Sequence, residues 1–213
     1  MKYEAVVFDV DGTLIDSFPR YASIMKTITP KYGIKNISNR QLQATFPLTA
    51  SQTIDYLGIP KQFSNQMAID YTIAAAQLDS APVLYQGFKA FFETIQLNYP
   101  NVALGIVTSG SNDDIQTLKQ HFSFMQQMWV TVTSDLLPYH KPAPEPLLYA
   151  IDQMGVKRNQ TLYIGDSFTD EGCAKNAKVD FGLAGWGKID AELKNGYAKY
   201  DFKTPEAILN YLS

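Results

Sequence analysis

Cysteine is nearly absent. Cys173 stands alone among 213 residues, which excludes an internal disulfide and points to a reducing compartment. Internal repeats, low-complexity stretches and blocks of like charge are also missing. With 18 basic and 21 acidic residues the net charge is −3, and nothing in that balance suggests nucleic acid or an anionic membrane as the main partner. No long apolar run occurs either. The stretch from Met1 ends at Asp9 after Ala5-Val6-Val7-Phe8, too short for a signal-peptide core or a membrane span. These absences together predict a cytoplasmic protein.

What remains is ordinary for a folded domain: 46% of residues are hydrophobic and 18% charged, in a chain long enough to bury a core without disulfide or structural metal. Ala5 to Phe8 is short, β-branched and aromatic, the signature of a strand buried on both faces. Similar runs recur at Val102–Val107, Trp129–Val132, Thr161–Ile164 and Val179–Leu183. Between them lie apolar residues at helical spacing, such as Phe88, Phe91, Phe92 and Ile95, or Ile115, Leu118 and Phe122, or Leu147, Ala150, Ile151 and Met154. This alternation predicts an α/β fold, a Rossmann-like parallel sheet flanked by helices.

The segment between the first strand and Pro82 differs. It holds helix-like stretches at Tyr21–Tyr32, Asn39–Thr45, Ser51–Leu57 and Lys61–Leu78, punctuated by Pro30, Gly33, Pro47, Gly58 and Pro60, and no buried-strand run. The expected organisation is therefore an α/β core of residues 1–15 and 83–213, with an inserted all-helical domain of residues 16–82.

Ligands of open parallel sheets bind beyond the carboxyl ends of the strands. Polar residues stand at every such exit here: Asp9 and Asp11, then Thr108-Ser109-Gly110, then Ser134-Asp135, then Gly165-Asp166. In Asp9-Val10-Asp11-Gly12-Thr13-Leu14 two carboxylates two residues apart share a side of the extended chain, and Gly12 permits a tight turn. A solvated turn would account for that pair by itself. In Gly165-Asp166-Ser167-Phe168-Thr169-Asp170, Asp166 or Ser167 can cap the next helix. Capping is not expected to involve Asp170, which returns toward the strand end one turn later. If the two motifs converge, carboxylates about 4 Å apart repel by roughly 4 kcal/mol at an effective dielectric near 20. Such a cluster needs a cation, and an all-oxygen ligand set favours Mg²⁺ over Ca²⁺ or Mn²⁺. Thr108-Ser109-Gly110 offers a hydroxyl and backbone N–H groups for a phosphoryl oxygen. Lys141, in the proline-stiffened loop His140-Lys141-Pro142-Ala143-Pro144-Glu145-Pro146, can act there as a fixed point charge.

These four motifs, in this order, resemble those of the haloacid dehalogenase-like hydrolase superfamily across essentially the whole chain. The helical insertion after the first motif is similar to the cap of its phosphoglycolate phosphatase-like and β-phosphoglucomutase members. The resemblance implies that Asp9 is a nucleophile forming an aspartyl-phosphate and that Asp11 is the general acid and base. It implies that Thr108 and Lys141 hold phosphoryl oxygens, beside Ser109 and Gly110. It also implies Mg²⁺ bound by the Asp9 carboxylate, the Asp11 carbonyl and Asp166, with Asp170 orienting that set. Dehalogenase members lack an acid at the position of Asp11, because a leaving halide needs no proton, so its presence favours phosphate esters.

The expected activity is thus phosphatase action on a small phosphorylated metabolite, with a phosphoglucomutase-type phosphotransferase or a non-catalytic binding protein as alternatives. Contacts beyond the phosphate are expected from Arg20, Lys26, Arg40 and the loop 45–51. His121 is expected to be a surface or half-buried packing residue rather than a ligand and Cys173 a small buried hydrophobe. Asp135 lies outside the metal argument, and Asp16-Ser17 with Pro19 reads as a helix start. His140, beside Lys141, is ambiguous.

Overall fold

The computed structural model describes residues 3–78, 81–187 and 196–212. Six parallel strands form one sheet: β1 (Ala5–Phe8), β2 (Ala103–Val107), β3 (Met128–Val132), β4 (Thr161–Gly165), β5 (Asp180–Ala184) and β6 (Tyr200–Phe202). Their order is β3-β2-β1-β4-β5-β6, with β1 central and Phe8 in register with Ile106 on one side and Ile164 on the other. All strands run the same way, so their carboxyl ends share one edge of the sheet. This is the α/β architecture expected from the alternating pattern.

Every residue of β1, β2 and β4 is buried, as continuous apolar runs require when both faces are covered. The period of two splits them cleanly. Val6, Phe8, Leu104, Ile106, Leu162 and Ile164 face one core, with α5 (Phe88–Asn98), α6 (Asn112–His121) and a C-terminal 3₁₀ segment, Pro205–Tyr211. Ala5, Val7, Val107, Tyr163 and Phe181 face the other, with α7 (Glu145–Met154) and α8 (Phe168–Ala177). Phe8 meets Phe88, Phe91 and Phe92 edge-on at centroid distances of 5.8, 5.8 and 6.1 Å. Each such pair contributes about 0.5–1.5 kcal/mol beyond its buried area. That packing anchors the strand from which Asp9 emerges.

The chain divides into two compact units, residues 1–16 with 82–213, and residues 17–81. The second is all-helical: α1 (Phe18–Ile28), α2 (Asn39–Thr45), α3 (Ala50–Leu57) and α4 (Ser64–Gln77) surround Ile24, Met25, Ile28, Leu42, Ile54 and Met67. Ser38 with Gln41 and Thr49 with Gln52 form reciprocal caps at the starts of α2 and α3. Within this unit Arg20 donates to the Ala75 carbonyl at 2.7 Å, while Lys26 and Arg40 are exposed.

The structure departs from the expected elements most in the following places, besides short 3₁₀ turns at Ser123–Gln127 and Arg158–Gln160. The first helix begins earlier, at Phe18, with Pro19 in its opening turn. It gives way to a 3₁₀ turn at Thr29–Tyr32, where Pro30 has no N–H for an α-helical bond. The stretch from Lys61 opens as a 3₁₀ turn before α4. β6 and the 3₁₀ segment after it were not expected, because three residues give no readable alternation. No helix among the described residues is long and apolar enough to cross a membrane.

Candidate active site

The parallel ladder continues past the strand ends and places the polar exits. Asp9 N–H donates to the Ile164 carbonyl at 2.9 Å, and Thr108 N–H to the Val132 carbonyl at 2.9 Å. Beyond Asp9 the chain turns at once: Gly12 N–H reaches the Ile15 carbonyl, and Leu14 and Ile15 N–H groups the Val10 carbonyl. Gly12 has φ +82°. A Cβ there would collide with the Asp166 carboxylate, so the turn and the end of β4 approach as closely as they do only because this residue is glycine.

Asp9, Asp166 and Asp170 are all buried and bring carboxylate oxygens within 4.8 Å of one another. Lys141, 4% exposed, joins two of them: its Nζ lies 2.7 Å from Asp9 Oδ1 and 2.6 Å from Asp170 Oδ1. The lysine is held there by α8. Asn176 Nδ2 donates to the Pro142 carbonyl at 3.0 Å, and the bare Cα of Gly172 admits the Pro142 ring, where a Cβ would lie 2.8 Å away.

Asp170 does two jobs, which corrects the expectation that capping leaves it out. Ser167 is the N-cap of α8, and its N–H and hydroxyl both donate to Asp170 Oδ2, while its Oγ accepts the Asp170 N–H. The other oxygen, Oδ1, takes Lys141 and the phenol of Tyr163, the latter at 2.8 Å. A carboxylate has two oxygens, so one completes the helix cap and the other faces the cluster. Asp166 is steadied by Thr13 Oγ1 at 3.3 Å.

The electrostatics follow from burial. Desolvation pushes the Asp9 carboxyl up to about 8; Asp170 adds to the rise, Lys141 opposes it, and Asp11 contributes a smaller increase. Burial, then Asp170 and Asp9, holds Asp166 well above the ordinary carboxylate value. Burial works against the Lys141 ammonium, but Asp170 and Asp9 outweigh it and keep the lysine charged. One ammonium cannot balance three buried carboxylates once all are ionised, which is why burial and mutual repulsion hold protons on them, and every donor is a hard oxygen. The cluster fits a divalent cation.

The remaining expected residues sit at the same edge or off it. Asp11 is half-buried beside Asp9 and near enough to act on it. Thr108 Oγ1 accepts the Gly110 N–H at 3.0 Å, which leaves the hydroxyl proton to be donated elsewhere; Ser109 is half-buried between them. Asp135 accepts the Asn112 N–H at the start of α6. His121 is exposed on α6, its Nδ1 on the Thr117 carbonyl, and Cys173 is fully buried in α8. His140 is half-buried.

Two contacts to the acidic cluster escaped the sequence reading. Tyr163 lies within an apolar strand run, and a phenol buried there needs a polar partner, which is the signal that could have found it. Thr13 belongs to the first motif but gives no sign of where its hydroxyl points.

Comparison with known proteins identifies the family. The family model for haloacid dehalogenase-like hydrolase matches residues 6–184. The chain belongs to that family. A crystal structure from Lactobacillus plantarum, of a protein assigned as a phosphoglycolate phosphatase, superposes on this hydrolase with a TM-score of 0.90 at 36% identity, over 100% of both chains. A phosphoglycolate phosphatase of Xanthomonas campestris is 28% identical over 189 residues, 86% of this chain and 83% of its own. The pyrophosphatase PpaX of Bacillus mycoides is 26% identical over 223 aligned positions, covering 100% of this chain and 95% of its own. The chain is accordingly a phosphohydrolase of the haloacid dehalogenase-like family, with an acidic cluster able to bind a divalent metal.

Proposed function

We propose that this hydrolase is a Mg²⁺-dependent, cytoplasmic phosphatase of small phosphorylated metabolites, of the phosphoglycolate phosphatase kind, working through an aspartyl-phosphate on Asp9. The observation that carries the reading is the Lys141 ammonium bonded at once to Asp9 and Asp170, beside Asp166. In the proposed reaction an Asp9 oxygen forms a bond to phosphorus as the bond to the leaving oxygen breaks. Asp11 gives that oxygen its proton. Asp11, now a carboxylate, takes a proton from the water that attacks phosphorus and frees Asp9. Asp11 suits this exchange because it is half-buried, open to the proton it must pass, while Asp9 is 5% exposed.

Thr108 donates its hydroxyl to a non-reacting phosphoryl oxygen, within the loop of Ser109 and Gly110, and Lys141 sets a positive charge against another. Mg²⁺, when bound, supplies Lewis-acid stabilisation of the phosphoryl charge and offsets the repulsion between anionic nucleophile and substrate. Asp9, Asp166 and the Asp11 carbonyl are the groups assigned to hold it. Asp170 is assigned to orientation, since its two oxygens already accept Lys141, Tyr163 and two Ser167 donors. The helical unit of residues 17–81 is assigned the role of cap, its Arg20, Lys26, Arg40 and residues 45–51, from the end of α2 to the start of α3, the choice of metabolite. A panel of phosphorylated metabolites that includes phosphoglycolate, assayed with Mg²⁺, tests the reading. Turnover is expected to vanish with chelator and in Asp9→Asn. Undiminished turnover in Asp9→Asn removes the covalent mechanism.

A further inference from the structure

The exit of the fifth strand carries no acid, yet it reaches the first motif. After β5 the chain makes a turn, with Gly187 N–H on the Ala184 carbonyl at 3.2 Å. Trp186 within that turn donates its indole N–H to the Thr13 carbonyl at 2.8 Å. Gly187 follows at the same place: a Cβ on it would lie 2.6 Å from the Gly12 carbonyl oxygen. The β5 turn therefore touches two consecutive backbone carbonyls of the Asp11–Leu14 turn, one by a hydrogen bond and one by close backbone approach.

That turn in turn bears on Asp166 from two sides. Thr13 Oγ1 donates to Asp166 Oδ1 at 3.3 Å, and the bare Cα of Gly12 lies against the same carboxylate. Indole is a donor with no acceptor, so Trp186 can satisfy only an oxygen. Its ring body is fixed independently, packed edge-on against Phe88 at 5.4 Å and 82°. Phe88 is fully buried in the core that also anchors Phe8. A rigid ring thus holds the carbonyl of the residue whose hydroxyl holds a carboxylate of the cluster.

We propose that Trp186 is a positioning residue for the cation site, acting through the backbone of Thr13 to set the Asp166 carboxylate. The inference rests on the reading that Asp166 is a metal ligand, and its test separates the two. Mg²⁺ affinity is measured by titration calorimetry on substrate-free protein, and kcat and KM for p-nitrophenyl phosphate at saturating Mg²⁺. Trp186→Phe keeps a ring against Phe88 and removes the N–H. It is expected to weaken Mg²⁺ by about three- to tenfold, at the low end of or just below what contacts to metal ligands ordinarily contribute, with KM little changed. Thr13→Val is expected to weaken Mg²⁺ similarly, and the double variant by less than the product of the two, because both act on one carboxylate.

Trp186 can also be watched without altering it. The chain has two tryptophans, and Trp129 is 61% exposed on β3, so Trp129→Phe leaves Trp186 as the sole source of tryptophan emission. Its emission is expected to change with Mg²⁺ at the midpoint found by calorimetry. Unchanged affinity in Trp186→Phe, fully multiplicative losses with Thr13→Val, or an emission blind to bound Mg²⁺ each overturns the inference. Asp166→Asn is the control. Should it bind Mg²⁺ like the parent, the metal assignment itself is wrong; should it lose Mg²⁺ while Trp186→Phe does not, only the role of Trp186 falls.

Discussion

At Asp9, place and charge are in conflict. It is 5% exposed beside two other buried carboxylates, and its carboxyl is driven up to about 8, first by burial. In the unfolded chain an aspartate titrates near about 3.9. Without a metal, the native state therefore binds more protons than the unfolded state between those values, and its stability falls as pH rises from about 4 to about 8. Thermal melts in chelator should show that decline. Saturating Mg²⁺ should flatten it, because bound cation replaces the proton. A chelated protein whose melting temperature rises steadily over that range contradicts the assigned charge balance.

At the scale of elements, two helices begin with the same device and differ in what it does. Ser111 with Asp114 caps α6, and Ser167 with Asp170 caps α8. Losing either serine hydroxyl should destabilise the protein by about 1 kcal/mol, the ordinary cost of an N-cap. Only the second cap shares its carboxylate with Lys141 and Tyr163. Denaturant titrations should thus show similar losses for Ser111→Ala and Ser167→Ala. Steady-state assays should show kcat nearly unchanged in the first and reduced about tenfold in the second, the scale of a loosened support beneath a catalytic group. Equal kcat in both would mean that the α8 cap is structural alone.

At the scale of the whole molecule, each of the two units has a hydrophobic core of its own. In the helical unit Asp70 ties α4 to the 3₁₀ turn after α1: it accepts from Tyr32 at 2.9 Å and pairs with Lys31 at 3.1 Å. The Tyr32 hydrogen bond, then Lys31, holds its carboxyl below the ordinary value. That contribution is complete above the ordinary aspartate pKa of about 3.9 and is lost as pH falls through the lowered value. Acid and Asp70→Asn should both act locally. Amide hydrogen exchange within residues 18–77 is expected to quicken in Asp70→Asn, while exchange in β1, β2 and β4 stays as in the parent. Uniform acceleration across the sheet would show that the two units unfold as one.

Much of the site was legible because it is written in short local patterns. An apolar run that stops at an aspartate marks a buried strand and its exit, and parallel strands bring all their exits to one edge. Asp9, Asp11, Thr108 and Asp166 could therefore be assigned to one edge from the sequence, Lys141 from its proline-stiffened loop and the family resemblance, and the helical insertion from its spacing and breakers. The supports could not be read in the same way. Tyr163 reaches Asp170 across the sheet end, Ser167 divides one carboxylate between a helix and a lysine, and Trp186 lies 173 residues from the Thr13 carbonyl it holds. Chain connectivity and side-chain period determine which residues leave a strand together. Which oxygen each donor then finds depends on rotamers and on the approach of distant turns, and only the packed tertiary structure decides that.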